Sequence, residues 1–206
     1  MTATAVRQGA SLLLAYPDTD WPRRLRLVQE ALATVPGESG ALLAAFCRSV
    51  AGVPTLELAA RYVTTFDRSR RRTLHMTYYA DGDTRRRGAS LVRIKGAMRA
   101  RGWQPPDGEL PDFLPSLLEF AARCPREGGP LLVEHRPGLD LLHGALEKHG
   151  SPYAGVVRAV RLTLPALSPS DRRQARRLAQ DGPPVETVGL APFTAPGPST
   201  PEGGRR

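Results

Sequence analysis

The sequence has few cysteines and no long hydrophobic segment, and each shortage argues against a class of protein. Cys47 and Cys124 are the only cysteines in 206 residues and form no CxxC pair, which predicts two free thiols in a reducing compartment. No stretch approaches the ~20 apolar residues of a membrane-spanning helix. The apolar run at residues 12–14 is shorter than the roughly 7–15-residue core of a signal peptide. We therefore expect a soluble, cytoplasmic protein.

Patterns for metal binding and catalysis are also missing from the sequence. The chain has only four histidines, namely His75, His135, His143 and His149. None forms HExxH or shares a helical face with a second histidine and a carboxylate, as a zinc site would require. There is no GxSxG elbow, and the carboxylates of Glu109 and Asp112 favour a role at a helix N-terminus over acid–base chemistry. We expect a protein that is not an enzyme, with no catalytic residues, no metal site and no stably bound cofactor.

Positive charge is plentiful, and it is carried mostly by arginine. The formal net charge is +9 and the sequence pI is about 10.5, which permits a partner with negative charge. The chain is also rich in Ala, Gly and Pro, a combination that indicates a coding bias. The charge therefore does not by itself select nucleic acid, a membrane or an acidic protein as the partner.

Apolar residues recur at helical spacing along most of the chain, which is 41% hydrophobic. This spacing predicts an all-α, single-domain helical bundle over residues 3–165. Helix starts are predicted at Asp20 with Pro22, at Thr55, at Asp83, and at Ser151 with Pro152. Helix ends are predicted before Pro17 and near Gly52, Gly102, Pro125 and Pro165.

Two segments do not follow this pattern. In residues 73–79 the apolar side chains alternate as in a strand but also fit one helical turn, so both readings stay open. Residues 166–206 form a second region, in which residues 170–180 fit a short basic helix. The remainder is rich in Pro and Gly and is expected to be mobile.

The most unusual stretch is residues 66–88, which contains seven arginines, three aspartates and no lysine. Arg85, Arg86 and Arg87 at a predicted helix start are candidate anion-binding residues, although an Asp83 cap would compete with the anion. Binding of nucleic acid or nucleotide by the whole stretch is the alternative function, because arginine and tyrosine side chains contact phosphates and bases. A solvated loop in which the arginines pair with Asp67, Asp81 and Asp83 explains the composition equally well.

Three segments of the sequence, in this order, resemble a known family. They are ARYVTTFDRSRRRTLHMTYYADGDTRRRG at residues 60–88, ELPDFLPSLLEFAA at 109–122 and SPYAGVVRAVRLTLP at 151–165. Together they resemble the NarJ or delta-subunit family of respiratory nitrate reductase assembly chaperones, which is grouped with the TorD-like chaperones of molybdoenzymes. The similarity covers residues 12–165, and PPVETVGLAPF in the tail resembles the family as well.

The resemblance implies an all-helical, cytoplasmic chaperone of the TorD-like type without catalytic activity. Such chaperones bind the unfinished catalytic (alpha) subunit of nitrate reductase, including its N-terminal segment. They hold it competent for insertion of the molybdenum cofactor and iron–sulfur clusters, and then leave. This sequence has Phe113 where relatives commonly have histidine after Leu-Pro-Asp, so no role of that histidine transfers.

A groove that binds an amphipathic peptide needs apolar walls and a few charged anchors. The helices on either side of the arginine-rich stretch supply both, if they pack together. The candidate partner-binding residues are Tyr62, Phe66, Arg70, Leu110, Asp112, Leu114, Leu118 and Glu119. Ordinary core packing is the competing interpretation of each apolar residue in this set.

Overall fold

The computed structural model of the protein describes residues 2–106, 108–166 and 173. Its ten α-helices are α1 (Thr2–Leu14), α2 (Trp21–Leu32), α3 (Gly37–Val50), α4 (Thr55–Tyr62), α5 (Met76–Asp81), α6 (Arg85–Arg99), α7 (Leu114–Arg123), α8 (Pro125–Glu134), α9 (Arg136–Lys148) and α10 (Tyr153–Leu162). A π-helical turn (Val63–Asp67) extends α4, and a 3₁₀ turn (Arg70–Arg72) precedes α5. These residues contain no named strand, and an isolated antiparallel bridge joins His75 to Phe113. The predicted all-α fold is confirmed.

Helix α1 lies at the centre of the bundle. Its small and apolar sequence gives a face on which Val6, Ala10, Leu13 and Leu14 are fully buried. It packs against α7 on one side and against α2, α3 and α10 on the others, and α10 also packs against α3 and α9. Burial of such apolar surface is the main favourable term in folding, so the core formed around α1 holds the bundle together.

The predicted helix ends agree with the structure where proline or glycine marks them. Gly52 and Gly102 follow α3 and α6 with φ of 76° and 67°, a left-handed conformation that glycine adopts without strain. Of the two interpretations of residues 73–79, strand or helix, the structure supports helix from Met76 onward, where α5 begins.

The predicted N-cap at Asp83 was wrong. Thr84 is the N-cap residue of α6, and its hydroxyl donates to the carbonyl of Asp81 at 2.7 Å. Gly82, with φ of 58°, ends α5 and turns the chain, so α6 starts one residue later than expected. The carboxylate of Asp83 is then free to pair with arginine side chains instead of with backbone N–H groups.

Helix α8 was not predicted, because Pro125 was read only as the end of α7. Proline in the first turn of a helix is favourable, since its missing N–H has no partner there in any case. Gly128, Gly129 and Pro130 weaken the helical signal of the segment. The predicted basic helix at 170–180 and the tail lie outside the described residues, apart from Arg173.

Helices α7 and α8 approach so closely that Gly128 has no room for a side chain. A Cβ atom at this position would lie 2.4 Å from the Cα of Ala121. We expect Gly128→Ala to lower the free energy of unfolding by about 1–3 kcal/mol, because overpacking forces the two backbones apart. Urea unfolding followed by circular dichroism measures this.

The matched control for this substitution is Gly144→Ala. Gly144 lies inside α9, and a Cβ atom there has no neighbour within 4 Å. We expect the control to be stabilised by about 0.5–1 kcal/mol through the lower entropy of its unfolded chain. Equal stability of the two variants would show that α7 and α8 are not in close contact at Gly128.

Candidate partner-docking region

The arginine-rich stretch runs from the end of the π-helical turn through the 3₁₀ turn and α5 to the start of α6. The side chain of Arg72 lies beside the carbonyl groups of the π-helical turn that follows α4. Its Nε atom donates to the carbonyl of Thr65 at 2.7 Å. The phenol of Tyr79 donates to the carbonyl of Thr73 at 2.9 Å and closes the loop before α5. These local contacts give the stretch a defined shape in which five of its seven arginines are exposed, namely Arg68, Arg70, Arg71, Arg85 and Arg86.

Asp112 joins this stretch to the segment before α7, and its carboxylate is fully buried. It accepts hydrogen bonds from His75 Nδ1 at 3.0 Å, from the backbone N–H of Thr77 at 3.2 Å and from the Thr77 hydroxyl. The guanidinium of Arg87 lies 3.8 Å from the same carboxylate. We call these four residues the Asp112 clasp. The Thr77 N–H lies in the first turn of α5, so Asp112 satisfies a donor that this helix leaves open.

The environment of the clasp favours the ionised form of Asp112. Burial alone would raise the pKa of this carboxyl, but the hydrogen bonds from His75 and Thr77 and the positive charge of Arg87 hold the pKa below its ordinary value. A buried carboxylate with this many donors is an internal anchor. The carboxylate has no exposed surface in this conformation, and contact of Asp112 with a partner stays a prediction.

Backbone hydrogen bonds reinforce the same junction. The N–H of Met76 donates to the carbonyl of Asp112 at 3.0 Å, and the N–H of Leu114 donates to the carbonyl of Leu74 at 2.8 Å. The ring centroid of Phe113 lies 5.5 Å from that of His75. The Leu-Pro-Asp-Phe segment is therefore part of the fold that positions the arginines.

The exposed arginines pair mainly with nearby aspartates. Arg70 lies 3.2 Å from Asp83, Arg86 lies 3.7 Å from Asp81, and Arg87 lies 3.7 Å from Asp83 as well as near Asp112. The side chains of Arg70 and Arg86 remain about four-fifths exposed, at 80% and 79%. Pairing with Asp81 and Asp83 was among the sequence-based interpretations, and it leaves these two guanidinium groups accessible to a partner.

The candidate anion-binding arginines occupy the first three positions of α6. Arg85 and Arg86 are exposed, whereas Arg87 turns inward, where its Nε donates to the Thr77 hydroxyl at 3.3 Å. Arg87 therefore belongs to the clasp. Anion binding by this triplet stays a prediction.

The predicted groove residues are mostly in the core. Tyr62, Phe66, Leu114 and Leu118 are each at most 4% exposed, whereas Leu110 is 41% exposed. Helix α7 packs mainly on α1 and α8, and it has no extensive contact with α4. The packing of the two flanking helices that an open groove required is therefore not observed. Contact of these residues with a partner stays a prediction.

Of the remaining candidates, Glu119 is paired with Arg123 at 3.1 Å on the exposed side of α7. Sequence reasoning missed Tyr16, which follows α1 and is 48% exposed. Its ring meets Tyr62 edge-on with centroids 5.4 Å apart, and the Tyr62 hydroxyl donates to the carbonyl of Leu14 at 3.0 Å. Tyr16 thus presents an aromatic surface above one of the predicted groove residues. A lone tyrosine beside Pro17 carries no sequence signal of this role.

His135 was also unassigned by sequence reasoning. It lies between α8 and α9, is 5% exposed, and its Nε2 atom has no hydrogen-bond partner among the described residues. Burial lowers the pKa of this imidazole below its ordinary value, opposed by the negative charges of Glu134, Asp112 and Asp81. The lowered pKa favours the neutral form of His135 at neutral pH.

The described ranges contain neither a group of metal ligands nor a single membrane-spanning helix. There, no three His, Cys, Asp or Glu side chains are grouped as a metal site would require. Nor does any single helix there have the length and apolar character to cross a bilayer. Helix α3 and the α4–π segment meet those criteria only when joined across a bend of 118°.

Comparison with known proteins places the chain in a family. Residues 29–159 match the family described as "Nitrate reductase delta subunit". The chain is 41% identical over 156 residues to the nitrate reductase-like protein NarX of Mycobacterium tuberculosis strain H37Rv, an alignment covering 75% of this chain and 24% of NarX. The chain thus spans about a quarter of that relative.

Two relatives align over much more of their own length. The probable nitrate reductase molybdenum cofactor assembly chaperone NarJ of Bacillus subtilis is 33% identical, covering 73% of this chain and 83% of NarJ. The corresponding NarJ of Escherichia coli K12 is also 33% identical, covering 70% of this chain and 63% of its own length. Both are named as assembly chaperones, in agreement with the prediction that this chain is not an enzyme.

A solved structure shows the same fold. It is described as a redox enzyme maturation protein of Archaeoglobus fulgidus and superposes with a TM-score of 0.57, covering 77% of this chain and 91% of that chain. At 21% sequence identity, this likeness supports the fold alone. The match of residues 29–159 to the family model confirms the predicted resemblance: the chain belongs to the nitrate reductase delta subunit family.

Proposed function

We propose that this chain is an assembly chaperone for nitrate reductase. It binds the unfinished catalytic (alpha) subunit, including its N-terminal segment, and holds that subunit competent for insertion of the molybdenum cofactor and iron–sulfur clusters. It acts in the cytoplasm, is not a stable carrier of the cofactor, and leaves the finished enzyme. The observation that carries this proposal is the family match together with the two NarJ relatives named as molybdenum cofactor assembly chaperones.

The surface around the arginine-rich stretch supports a docking role. Leu110 and Tyr16 are large apolar side chains exposed by 41% and 48%. Arg70 and Arg86, which are close in sequence to the clasp residues, add exposed positive charge. In this proposal the apolar side chains contribute affinity, and the arginines orient the partner and speed its approach. In this proposal Tyr62, Phe66, Leu114 and Leu118, each at most 4% exposed, contact the partner only if the side chains that cover them move.

Titration calorimetry with a peptide from the N-terminus of the alpha subunit tests the proposal. We expect saturable one-to-one binding that persists at high salt, because apolar contacts are not screened. A scrambled peptide of the same composition is the control. Absence of binding by both the peptide and the whole apo-subunit would contradict the proposal. Binding that disappears with salt would make phosphate-like contacts of the arginines dominant and favour the nucleic-acid alternative.

Two exposed positions provide a matched pair for locating the site. Leu110→Asp is expected to lower the affinity for the peptide by about tenfold or more, because it places a charge in the apolar contact. Val92→Asp changes an exposed residue of α6, where the side chain is 72% exposed, and is expected to leave affinity unchanged. Equal affinity of the two variants would place the docking surface away from Leu110.

A further inference from the structure

A cleft lies between α4 with its π-helical turn and the turn that joins α9 to α10. Its volume is about 380 Å³. One wall is formed by Glu57, Arg61 and Thr64, which are spaced as one face of a helix, and the other by residues 149–152. A π-helical turn in a wall is notable because such turns occur frequently at functional sites.

Two residues of this lining are buried, namely Thr65, whose hydroxyl donates to the carbonyl of Arg61 at 2.7 Å, and Ser151. Ser151 is 9% exposed, and its hydroxyl oxygen has no hydrogen-bond partner among the described residues. A buried hydroxyl without a partner costs free energy, so each such group in a folded protein calls for an explanation. The position of Ser151 in the lining of the cleft points to a bound group that completes its hydrogen bonding.

The surroundings of Ser151 favour a bound group with negative charge. Helix α10 begins two residues later, at Tyr153, with no acidic residue in its first turn and no side-chain hydrogen bond capping its N-terminus. The N-terminal end of a helix carries partial positive charge. The imidazole of His149 and the guanidinium of Arg61 lie on the same cleft. The opposing carboxylate, Glu57, is already paired with Arg61.

We propose that this cleft is an oxyanion-binding site, which takes a carboxylate or phosphate group between Ser151, His149 and the start of α10. The Ser151 hydroxyl donates to the anion after rotation about its side-chain bond, and Arg61 divides its charge between the anion and Glu57. The cleft is several times larger than a single phosphate group, so the anionic group belongs to a larger ligand. Neither Leu110 nor Tyr16 lines this cleft, and the proposal does not depend on the chaperone function.

The test is a pair of NMR titrations of the whole ¹⁵N-labelled chain, with inorganic phosphate and with acetate, at constant ionic strength and pH. We expect saturable shifts of the backbone amides at residues 149–151 and 153. Tighter binding of phosphate would identify a phosphate ligand, and tighter binding of acetate a carboxylate such as that of a peptide. Shifts confined to residues 85–87 would overturn the proposal in favour of the arginine triplet of α6.

Substitutions with opposite expected effects give the decisive comparison. Ser151→Ala is expected to lower the affinity for the anion by about tenfold, because it removes a hydrogen bond to a charged group. Glu57→Gln is expected to raise the affinity for the anion by about two- to fivefold, because Arg61 is released from an exposed ion pair. Ser49→Ala is the control, since the Ser49 hydroxyl donates to the carbonyl of Phe46 at 2.7 Å within α3.

An unchanged anion affinity in Ser151→Ala, or no saturable shift at all, would overturn the proposal. A lower melting temperature of Ser151→Ala with unchanged affinity would instead show that this hydroxyl rotates to cap α10. If Ser151→Ala does not fold, the anion affinity of Glu57→Gln tests the site by itself, because Glu57 is exposed and its substitution leaves the core unchanged. Failure of Glu57→Gln to tighten the anion would then overturn the site.

Discussion

Replacing Asp112 with alanine is expected to lower the free energy of unfolding by about 3–5 kcal/mol, as for other buried charges that lose one partner. The substitution leaves the Thr77 N–H and hydroxyl without their acceptor and removes the counter-charge of Arg87. It also releases His75 from its 3.0 Å contact. Because total stabilities are only about 5–15 kcal/mol, this is a large part of the whole. Urea unfolding measures the loss.

The effect of Asp112 depends on pH in a defined direction. The folded-state pKa of this carboxyl lies below the value of 3.8 that applies to the unfolded chain. Its contribution to stability is therefore fully present above pH 3.8 and is lost as pH falls through the lower, folded-state pKa. The difference in stability between the wild type and Asp112→Asn should stay constant from neutral pH to about pH 5 and shrink in stronger acid.

Glu119→Ala is the control for Asp112→Ala, since it removes a carboxylate from the surface pair with Arg123. We expect it to change stability by less than about 1 kcal/mol. A wild-type melting temperature for Asp112→Ala, combined with loss of the alpha-subunit peptide, would contradict the clasp. That result would support the sequence-based prediction that Asp112 contacts the partner directly.

The second large effect is expected at Leu118. This residue of α7 is fully buried in the core. Leu118→Asp places a carboxylate without a partner in an apolar environment, and the several kcal/mol of desolvation exceed what the fold can supply. We therefore expect loss of the helical circular dichroism signal and of the cooperative thermal transition.

Two further variants bracket this result. Leu118→Ala creates a cavity and is expected to cost about 2–5 kcal/mol while the protein stays folded. Leu56→Asp makes the same polar change at a position of α4 that is 83% exposed, and is expected to leave stability within about 0.5 kcal/mol. A folded Leu118→Asp variant that only loses the partner peptide would show that Leu118 lines a groove.

Much of the fold was predictable because it depends on neighbours along the chain. Helical spacing of apolar residues, together with Gly52, Gly102 and Pro152, identified most of the helices and several of their ends. The exceptions have local causes as well. Helix α8 was missed because its glycines and proline obscure the pattern, and the start of α6 moved by one residue because Gly82 sets the preceding turn.

The candidate site was less predictable because its properties depend on distant parts of the chain. The residues that bind the Asp112 carboxylate lie 35 and 37 positions earlier in the sequence, so spacing alone does not indicate them. Leu110 and Leu114 belong to the same apolar pattern, yet one is half-exposed and the other is buried. Only the packing of α7 on α1 and α8 distinguishes them.

By itself the sequence determined the all-α architecture and the family to which the chain belongs. Both follow from local information, namely residue spacing and the order of short segments. The tertiary structure decided that Asp112 is an internal anchor, that Tyr16 and Leu110 face outward, and that Ser151 lies in a cleft with α4. These depend on contacts between residues far apart in sequence, and such contacts exist only once the helices have packed.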